Sequence, residues 1–161
     1  MYACSLVGNS YVAASGLPKA CPKHAVVMAR FACDCLRLLP DILRETAEAN
    51  GDTSTLELQL RIGLNTGSTT GGILRGSNFS RFQLLGETVS TAAAVQRAGV
   101  AGRVHVSHST AHELIEHFKE RWLLPREEKV HIEGREMMQT FWLVPEEIQT
   151  QGISSMKARQ Q

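Results

Sequence analysis

The stretch LLGETVSTAAAVQRAG, residues 84–99, decides how the rest of the chain is interpreted. Two leucines end an apolar run, a glycine permits a sharp turn, and alanines and valines then recur at helical spacing. The pattern predicts the end of a strand followed by a helix that opens with Glu87 and Thr88. Small and hydroxyl side chains, rather than amides and cations, line the first turns of this helix. These side chains limit the chemistry that the helix can perform.

Length, composition and charge predict one globular domain. The chain has 161 residues, of which 43% are hydrophobic, enough for a single core. Its 17 basic and 16 acidic side chains nearly cancel, so the domain has no strong electrostatic field. We therefore expect no nucleic acid and no membrane surface as a partner of this segment. The apolar runs are shorter than the roughly 20 residues that span a bilayer, and the N-terminus lacks the features of a signal peptide. We therefore expect an intracellular protein that recognises its ligands locally.

Apolar periodicity predicts strands and helices in mixed order. A strand or bent hairpin is expected over 2–16, and a long amphipathic helix over 24–50, in which Pro40 bends the helix or starts a second segment. The other predicted elements are strands at 56–64, 69–75, 80–86 and 103–107, a helix at 109–118 capped by Ser107 or Ser109, and a strand pair around 128–134 and 138–144. This order predicts an α+β fold with helices on one side of a sheet and without a second domain.

The cysteines and histidines do not predict a metal site. Cys33 and Cys35 are about 200° apart around a helix, so they are poorly placed to share a zinc ion. With Cys4 and Cys21, they are expected to be reduced structural thiols. Four histidines fall near one predicted strand and helix, without a carboxylate at the spacing of a zinc motif. They are His105, His108, His112 and His117.

Five segments, in this order and at compatible spacing, resemble the catalytic domain of class III adenylyl and guanylyl cyclases. They are VGNSYVAASGLP, LQLRIGLNTGSTTGGILRG, SRFQLLGETVSTAAAVQ, RVHVSHSTAHEL and HIEGREMMQTFWL. The resemblance implies a ferredoxin-like α+β palm, with an antiparallel-rich sheet and helices packed mainly on one side. It also implies a head-to-tail dimer whose active sites are built from both chains. We expect a cyclase homology domain at 1–145 that lacks its first strand region, and a flexible tail at 146–161.

The resemblance implies two metal ions, which two aspartates hold in the family. These ions activate the 3′ hydroxyl of the substrate and neutralise its phosphates. The first aspartate maps to a strand before the start of this chain, and the second maps to Asn9. Asparagine offers a carbonyl oxygen without negative charge, so the affinity for Mg or Mn should fall sharply; Asn9 is otherwise an ordinary turn residue. We expect Mg or Mn only if the chain is active, and no cofactor for this chain alone.

The helix after residue 86 matches the part of the family that stabilises the transition state. There the family carries an Asn that orients the ribose and, four residues on, an Arg that stabilises charge on the transferring phosphorus. The matching residues are Ser90 and Ala94, which share one helix face. Loss of such a cation commonly costs about two to three orders of magnitude in rate. Arg97 is a candidate replacement; the alternative is a solvated arginine that interacts favourably with the helix dipole.

The purine and triphosphate positions are also altered. The two residues that read the purine edge in the family map to Ser5 and Gln83, neither of which selects a purine by charge. Gln83 is equally consistent with a polar strand residue that faces solvent. The triphosphate cation maps to Arg135, which keeps a positive charge and could grip a phosphate with two hydrogen bonds. Because Glu133 and Glu136 flank it, a surface ion pair is an equally simple interpretation.

The sequence therefore predicts a domain of a cyclic-nucleotide signalling protein. The main hypothesis is a catalytically impaired or regulatory half that pairs with a second cyclase domain, as a homodimer or heterodimer, with GTP or ATP as candidate ligand. Two alternatives stay open: a structural dimerisation module that binds no nucleotide, and a fragment of an active guanylate cyclase that converts GTP to cGMP and diphosphate. We expect a cytoplasmic location, alone or as the intracellular domain of a larger membrane protein.

Overall fold

A computed structural model describes residues 2–7, 10–75, 80–131 and 137–144. The strands are β1 (Tyr2–Val7), β2 (Ser10–Ala14), β3 (Ile62–Leu64), β4 (Thr70–Arg75), β5 (Ser80–Leu85), β6 (Val104–Val106), β7 (Leu123–Pro125) and β8 (Phe141–Leu143). The helices are α1 (His24–Asn50), α2 (Glu87–Arg97) and α3 (His108–Glu116), with short 3₁₀ helices at Thr53–Glu57 and Glu120–Trp122. The predicted site residues Asn9 and Arg135 and the predicted tail at 146–161 lie outside the described residues.

The strands form one mixed sheet and two hairpins. In the four-stranded sheet the order is β3-β6-β8-β7, with β3 parallel to β6 and the other neighbours antiparallel. The two hairpins are β1-β2 and β4-β5, and β1 runs beside β5. The hairpin predicted from residues 2–16 is thus confirmed, as is the α+β fold class.

The four-stranded sheet has helices on both faces. Since side chains alternate along a strand, Leu64, Val104 and Val106 face one way while Gly63 and His105 face the other. The first set packs with α1 and α3 in the main hydrophobic core, whose helical members are Ala25, Val26, Ala29, Ala32, Ala111 and Leu114. The second set faces α2. Two of the three helices therefore share a face of the sheet.

Helix α2 lies directly on strand β3 at Gly63. A Cβ atom built on Gly63 would lie only 2.3 Å from the backbone nitrogen of Gln96, so no larger residue fits without moving the helix. Glycine at this position sets the distance between α2 and the sheet, because it lets backbone approach backbone.

We expect Gly63→Ala to lower the free energy of unfolding by about 1–3 kcal/mol, because the methyl group overpacks the contact with α2. Gly72→Ala is the matched control in strand β4, since nothing lies within 4 Å of a Cβ built there. That control should leave the free energy of unfolding unchanged or raise it by about 0.5 kcal/mol. Denaturant unfolding of both variants measures the difference, and equal effects would contradict the close contact.

The strand predicted at 56–64 is wrong for most of its length. Only Ile62–Leu64 is a strand, and Thr53–Glu57 forms a 3₁₀ helix. The Asp52 side chain accepts a hydrogen bond from the Ser54 amide at 2.9 Å, which stabilises the turn that starts this helix. Leu56 and Leu58 are 50% and 59% exposed. The alternation of these leucines with polar residues therefore does not correspond to a strand with one buried face.

The predicted strand pair near the C-terminus needs a second correction. Val130 and Met138 form one isolated bridge, whereas Phe141–Leu143 pairs with β6 and with β7. Strand β7 was not expected, because three residues are too few to show a period of two.

The helix predictions are confirmed, with their boundaries refined. Helix α1 runs from His24 to Asn50 without interruption, so Pro40, which is exposed, starts no second segment. Helix α3 begins at His108, and the Ser107 hydroxyl caps it by accepting a hydrogen bond from the Thr110 amide. Ser107 is therefore the cap, and Ser109 is not.

Candidate functional site

The first turn of α2 is held by a glycine turn and by hydrogen bonds from the loop after β3. Gly86 connects β5 to α2 with φ of 123°, a conformation that favours glycine. The Asn65 side-chain amide donates to the Thr88 carbonyl at 3.0 Å, and the Thr88 hydroxyl donates to the Ser68 carbonyl. Two elements that are distant in sequence thus fix where α2 begins.

The last turns of α2 are held by the buried side chain of His105. Its Nδ1 lies 2.6 Å from the Val95 carbonyl oxygen, and its Nε2 lies 2.8 Å from the Thr140 hydroxyl. A carbonyl only accepts, so Nδ1 carries the proton in the neutral ring and Nε2 accepts from Thr140. Arg126 adds a second hydrogen bond to this end of the helix, because its Nη1 donates to the Ala98 carbonyl at 2.7 Å. The orientation of α2 on the sheet depends on these contacts.

His105 is held in its neutral form. Burial lowers the pKa of His105 below its ordinary value of 6.5, the positive charge of Arg126 lowers it further, and the hydrogen bond to the Val95 carbonyl opposes both effects. Because the pKa is lower in the folded protein than in the unfolded chain, protonation favours unfolding. The stabilisation is complete above about pH 6.5 and is lost as the pH falls from there to the pKa of the folded state.

We expect the free energy of unfolding to fall as the pH is lowered below about 6.5, in part because His105 gains a proton on unfolding. His105→Gln should reduce that pH dependence and lower the free energy of unfolding at pH 7.5 by about 1–3 kcal/mol, because buried hydrogen bonds are lost. His108→Gln is the control at an exposed position of the adjacent helix. Chemical denaturation between pH 5 and 8 measures these effects. Equal pH slopes in the two variants would exclude His105 as a source of the dependence.

The structure shows what surrounds the altered positions of α2. Ser90 is exposed, and its hydroxyl donates to the Glu87 carbonyl at 3.0 Å, within the helix. Ala94 is half-buried and packs on a small apolar cluster that includes Val130 and Met138. Arg97 is exposed in the last turn, three residues beyond Ala94. Ser90 and Ala94 therefore share one face of the helix, while their roles in a reaction stay predictions.

The two positions predicted to read a purine lie on neighbouring strands. Gln83 is half-buried on β5, where it pairs with Gly72. Ser5 pairs with Val12 in the first hairpin, and its strand β1 runs beside β5. The fold thus brings the backbones of these two positions into the same region, but which base they recognise stays a prediction.

The segment that contains Arg135 begins and ends beside α2. Backbone hydrogen bonds of 2.9 Å in both directions join Val130 and Met138. Both residues pack in the same cluster as Ala94 and Ala98 of α2. The ends of this segment are therefore close to the helix face that carries Ala94.

The described residues form no cluster of metal-binding side chains for the two-metal chemistry that the resemblance implies. Within 2–7, 10–75, 80–131 and 137–144, no group of three or more His, Cys, Asp or Glu side chains could hold a metal ion. Asn9, the matching metal position, is uncharged. Cys21, Cys33 and Cys35 form no disulfide bond. Among the helices that are described, none is long and apolar enough to cross a membrane.

Sequence reasoning missed the part that His105 plays in positioning α2. A signal was present, because the histidine stands between Val104 and Val106 in a short apolar strand, where both faces are buried. The partners of the ring, at positions 95 and 140, are too distant in sequence for any local pattern to connect them.

The mixed sheet, its flanking helices and the strand-turn-helix at α2 define a domain of the nucleotide cyclase type. Residues 1–145 match the family model described as the adenylate and guanylate cyclase catalytic domain. The chain therefore belongs to this family.

Relatives and a solved structure agree with the assignment. Retinal guanylyl cyclase 2 of Bos taurus is 31% identical over 146 residues, and the receptor-type guanylate cyclase gcy-4 of Caenorhabditis briggsae is 30% identical over 152. Both matches cover 89% of this chain but only 12% of the relative, so the chain spans about an eighth of the length of these proteins. The guanylate cyclase domain of RhGC from Catenaria anguillulae, solved in complex with GTP, superposes with a TM-score of 0.71 at 30% identity. That superposition covers 89% of this chain and 71% of the other. The predicted cyclase palm is confirmed.

Proposed function

We propose that this chain is a catalytically impaired cyclase domain that regulates a second cyclase domain by pairing with it. The observation that carries the proposal is the surface of α2. The helix keeps its place on the sheet, but Ser90 and Ala94 present a hydroxyl and a methyl group where an amide and a cation are expected.

The contacts of these two side chains support the loss of chemistry. The Ser90 hydroxyl is engaged with the Glu87 carbonyl one turn earlier, so it is not directed by a neighbouring element towards a ligand. Ala94 packs against the same small apolar cluster as Met138, and its methyl group offers no polar atom. A missing transition-state cation lowers the rate by about two to three orders of magnitude.

Pairing would impair both sites of a mixed dimer. If each site draws residues from both chains, one site combines the partner's metal ligands with Ser90 and Ala94 of this chain. The other combines Asn9 of this chain with the partner's amide and cation. Each site then lacks an essential group, so this chain would act by withdrawing active partners into inactive pairs.

The first experiment measures cyclic nucleotide formation from ATP and from GTP with manganese. We expect no product from this chain alone, and a falling rate when it is titrated into an intact homologous cyclase domain at fixed concentration. Bovine serum albumin added at equal mass controls for crowding. Cyclic nucleotide formed by the pure chain would contradict the proposal and favour the alternative of an active guanylate cyclase.

A second experiment restores the missing groups. At a saturating excess of this chain, where mixed dimers predominate, Ser90→Asn combined with Ala94→Arg should raise the rate by about 10²–10³ over the unsubstituted mixture, because one site regains its amide and cation. The matched control is Ala93→Arg, which adds the same charge at the exposed neighbouring position. Thermal unfolding verifies that the double variant is folded. If the double variant is folded and the rate of cyclic nucleotide formation does not rise, α2 does not face the active site of the mixed dimer.

Nucleotide binding is tested separately from catalysis. We propose that the chain retains purine-triphosphate contacts through Gln83, which is half-buried, and through Arg135. GTP or ATP at 100 times its dissociation constant should then add about 2.7 kcal/mol to the free energy of unfolding. Gln83→Leu should weaken that effect, whereas Gln59→Leu, at an exposed position, should not. Absence of stabilisation by either nucleotide would favour a structural dimerisation module.

We further propose a cytoplasmic location, as the intracellular part of a larger membrane protein. The support is the match to relatives about eight times longer than the matched region, one of which is named a receptor-type guanylate cyclase. Fractionation of cells that express the complete protein, with an antibody against this domain, tests the location.

A further inference from the structure

Three arginine side chains surround the loop that joins α2 to β6. Arg61 and Arg103 directly precede the parallel strands β3 and β6. The Arg61 Nη1 donates to the Arg97 carbonyl at 3.5 Å, and the Arg126 Nη1 donates to the Ala98 carbonyl at 2.7 Å. These two carbonyls are consecutive at the end of α2, so the side chains converge on one region. We call Arg61, Arg103 and Arg126 the arginine cluster.

Trp142 of β8 positions two members of the arginine cluster. The guanidinium carbon of Arg103 lies 4.2 Å from the centre of the Trp142 ring, and that of Arg126 lies 5.2 Å from the same centre. Contact with an aromatic ring orients a guanidinium group and leaves the N–H groups at its edge free to donate. Arg103 is exposed, and no described residue accepts a hydrogen bond from its guanidinium group. It is therefore oriented and available to a ligand.

The positive charges of the arginine cluster are poorly compensated. The parallel register of β3 and β6 places Arg61 beside Arg103 on the neighbouring strand, where like charges repel. Within the described ranges, no carboxylate lies within 4 Å of Arg61 or Arg103. Arg126 pairs with Glu128 at 3.8 Å, but the Glu128 side chain is 85% exposed. The stability of the domain alone does not account for this concentration of charge.

Two exposed apolar side chains border the arginine cluster. Leu124 is 52% exposed, and it pairs with Trp142 across β7 and β8. Val100 is 50% exposed, and its carbonyl accepts a hydrogen bond from the Arg103 amide at 3.2 Å. The surface therefore combines arginine with apolar area, as the surfaces that bind other proteins do.

The arrangement of the charges favours an acidic polypeptide as the ligand. The guanidinium groups are held by different partners, namely two helix carbonyls and an aromatic ring, and do not point at one common atom. Several carboxylates along a chain can each meet one guanidinium group, whereas a single phosphate needs donors that converge on it. The net charge of +1 gives no strong field for a nucleic acid or an anionic membrane.

We propose that the arginine cluster, together with Val100 and Leu124, binds an acidic segment of a partner protein. Carboxylates of the segment accept hydrogen bonds from Arg61 and Arg103, and this relieves the repulsion between them. Apolar side chains of the segment cover Val100 and Leu124. The site lies beside the last turn of α2, whereas Ser90 lies near the start of that helix. The proposal therefore does not depend on whether the domain is catalytically impaired.

The test measures the binding of synthetic peptides to the complete chain by fluorescence anisotropy. The probe is a short peptide that alternates glutamate and leucine and carries an uncharged dye. A control peptide has glutamine in place of every glutamate. The glutamate peptide should bind more tightly than the control, and its dissociation constant should rise with added salt, because exposed charges are screened. Equal affinity for the two peptides would overturn the proposal.

Variants locate the peptide at the arginine cluster. Arg61→Glu combined with Arg103→Glu should raise the dissociation constant of the glutamate peptide about tenfold or more. Arg37→Glu combined with Arg44→Glu, which makes the same charge change on the exposed face of α1, should have a much smaller effect. A peptide with lysine in place of glutamate should bind the first variant more tightly than the unsubstituted chain, which a misfolded variant would not do. Equal effects of the two double variants would overturn the proposal.

Two competing ligands are tested in the same assay. If diphosphate displaces the glutamate peptide and sulfate at equal ionic strength does not, the arginine cluster is a phosphate site. If the chain sediments with phosphatidylserine vesicles and the Arg61→Glu, Arg103→Glu variant does not, the cluster binds a membrane surface. Either result would overturn the proposal, whereas displacement by neither diphosphate nor vesicles is the expected outcome.

Discussion

The structure depends on the close contact between strand β3 and helix α2. Gly63 has no side chain, so the backbone of α2 at Gln96 lies directly above it, and His105 on the neighbouring strand binds the Val95 carbonyl of the same helix. These contacts fix the height and the direction of α2 over the sheet. The face that carries Ser90 and Ala94 is positioned only because the opposite face is held in this way.

The residues that hold α2 differ from the residues that would perform chemistry on it. Val95 is buried beside Val130, and Thr88 is bonded to the preceding loop, whereas Ser90 is exposed. A substitution at an exposed position such as Ser90 therefore leaves the packing of the helix intact. This separation explains how a domain can keep the cyclase fold without the cyclase groups, and why fold is no evidence of activity.

Two strand edges of the described fold border an apolar cavity. A sheet is complete when its strand edges are paired, covered or solvated, and the edges of β2 and β3 face an apolar space rather than open solvent. One association proposed for this domain is the pairing of cyclase domains through the family's dimer.

The sequence by itself determined the local elements with strong periodicity, and it predicts which site residues are altered. Helix α1, the β1-β2 hairpin and the turn into α2 follow from spacing and from glycine, and Ser90 and Ala94 follow from alignment with the family motif. Only the tertiary structure decided that Leu56 and Leu58 are exposed, that β7 pairs with β8, that His105 anchors α2, and that an opening separates β2 from β3. The reason is that periodicity reports a repeating local environment, whereas burial, pairing and cavities arise from contacts between residues far apart in the chain.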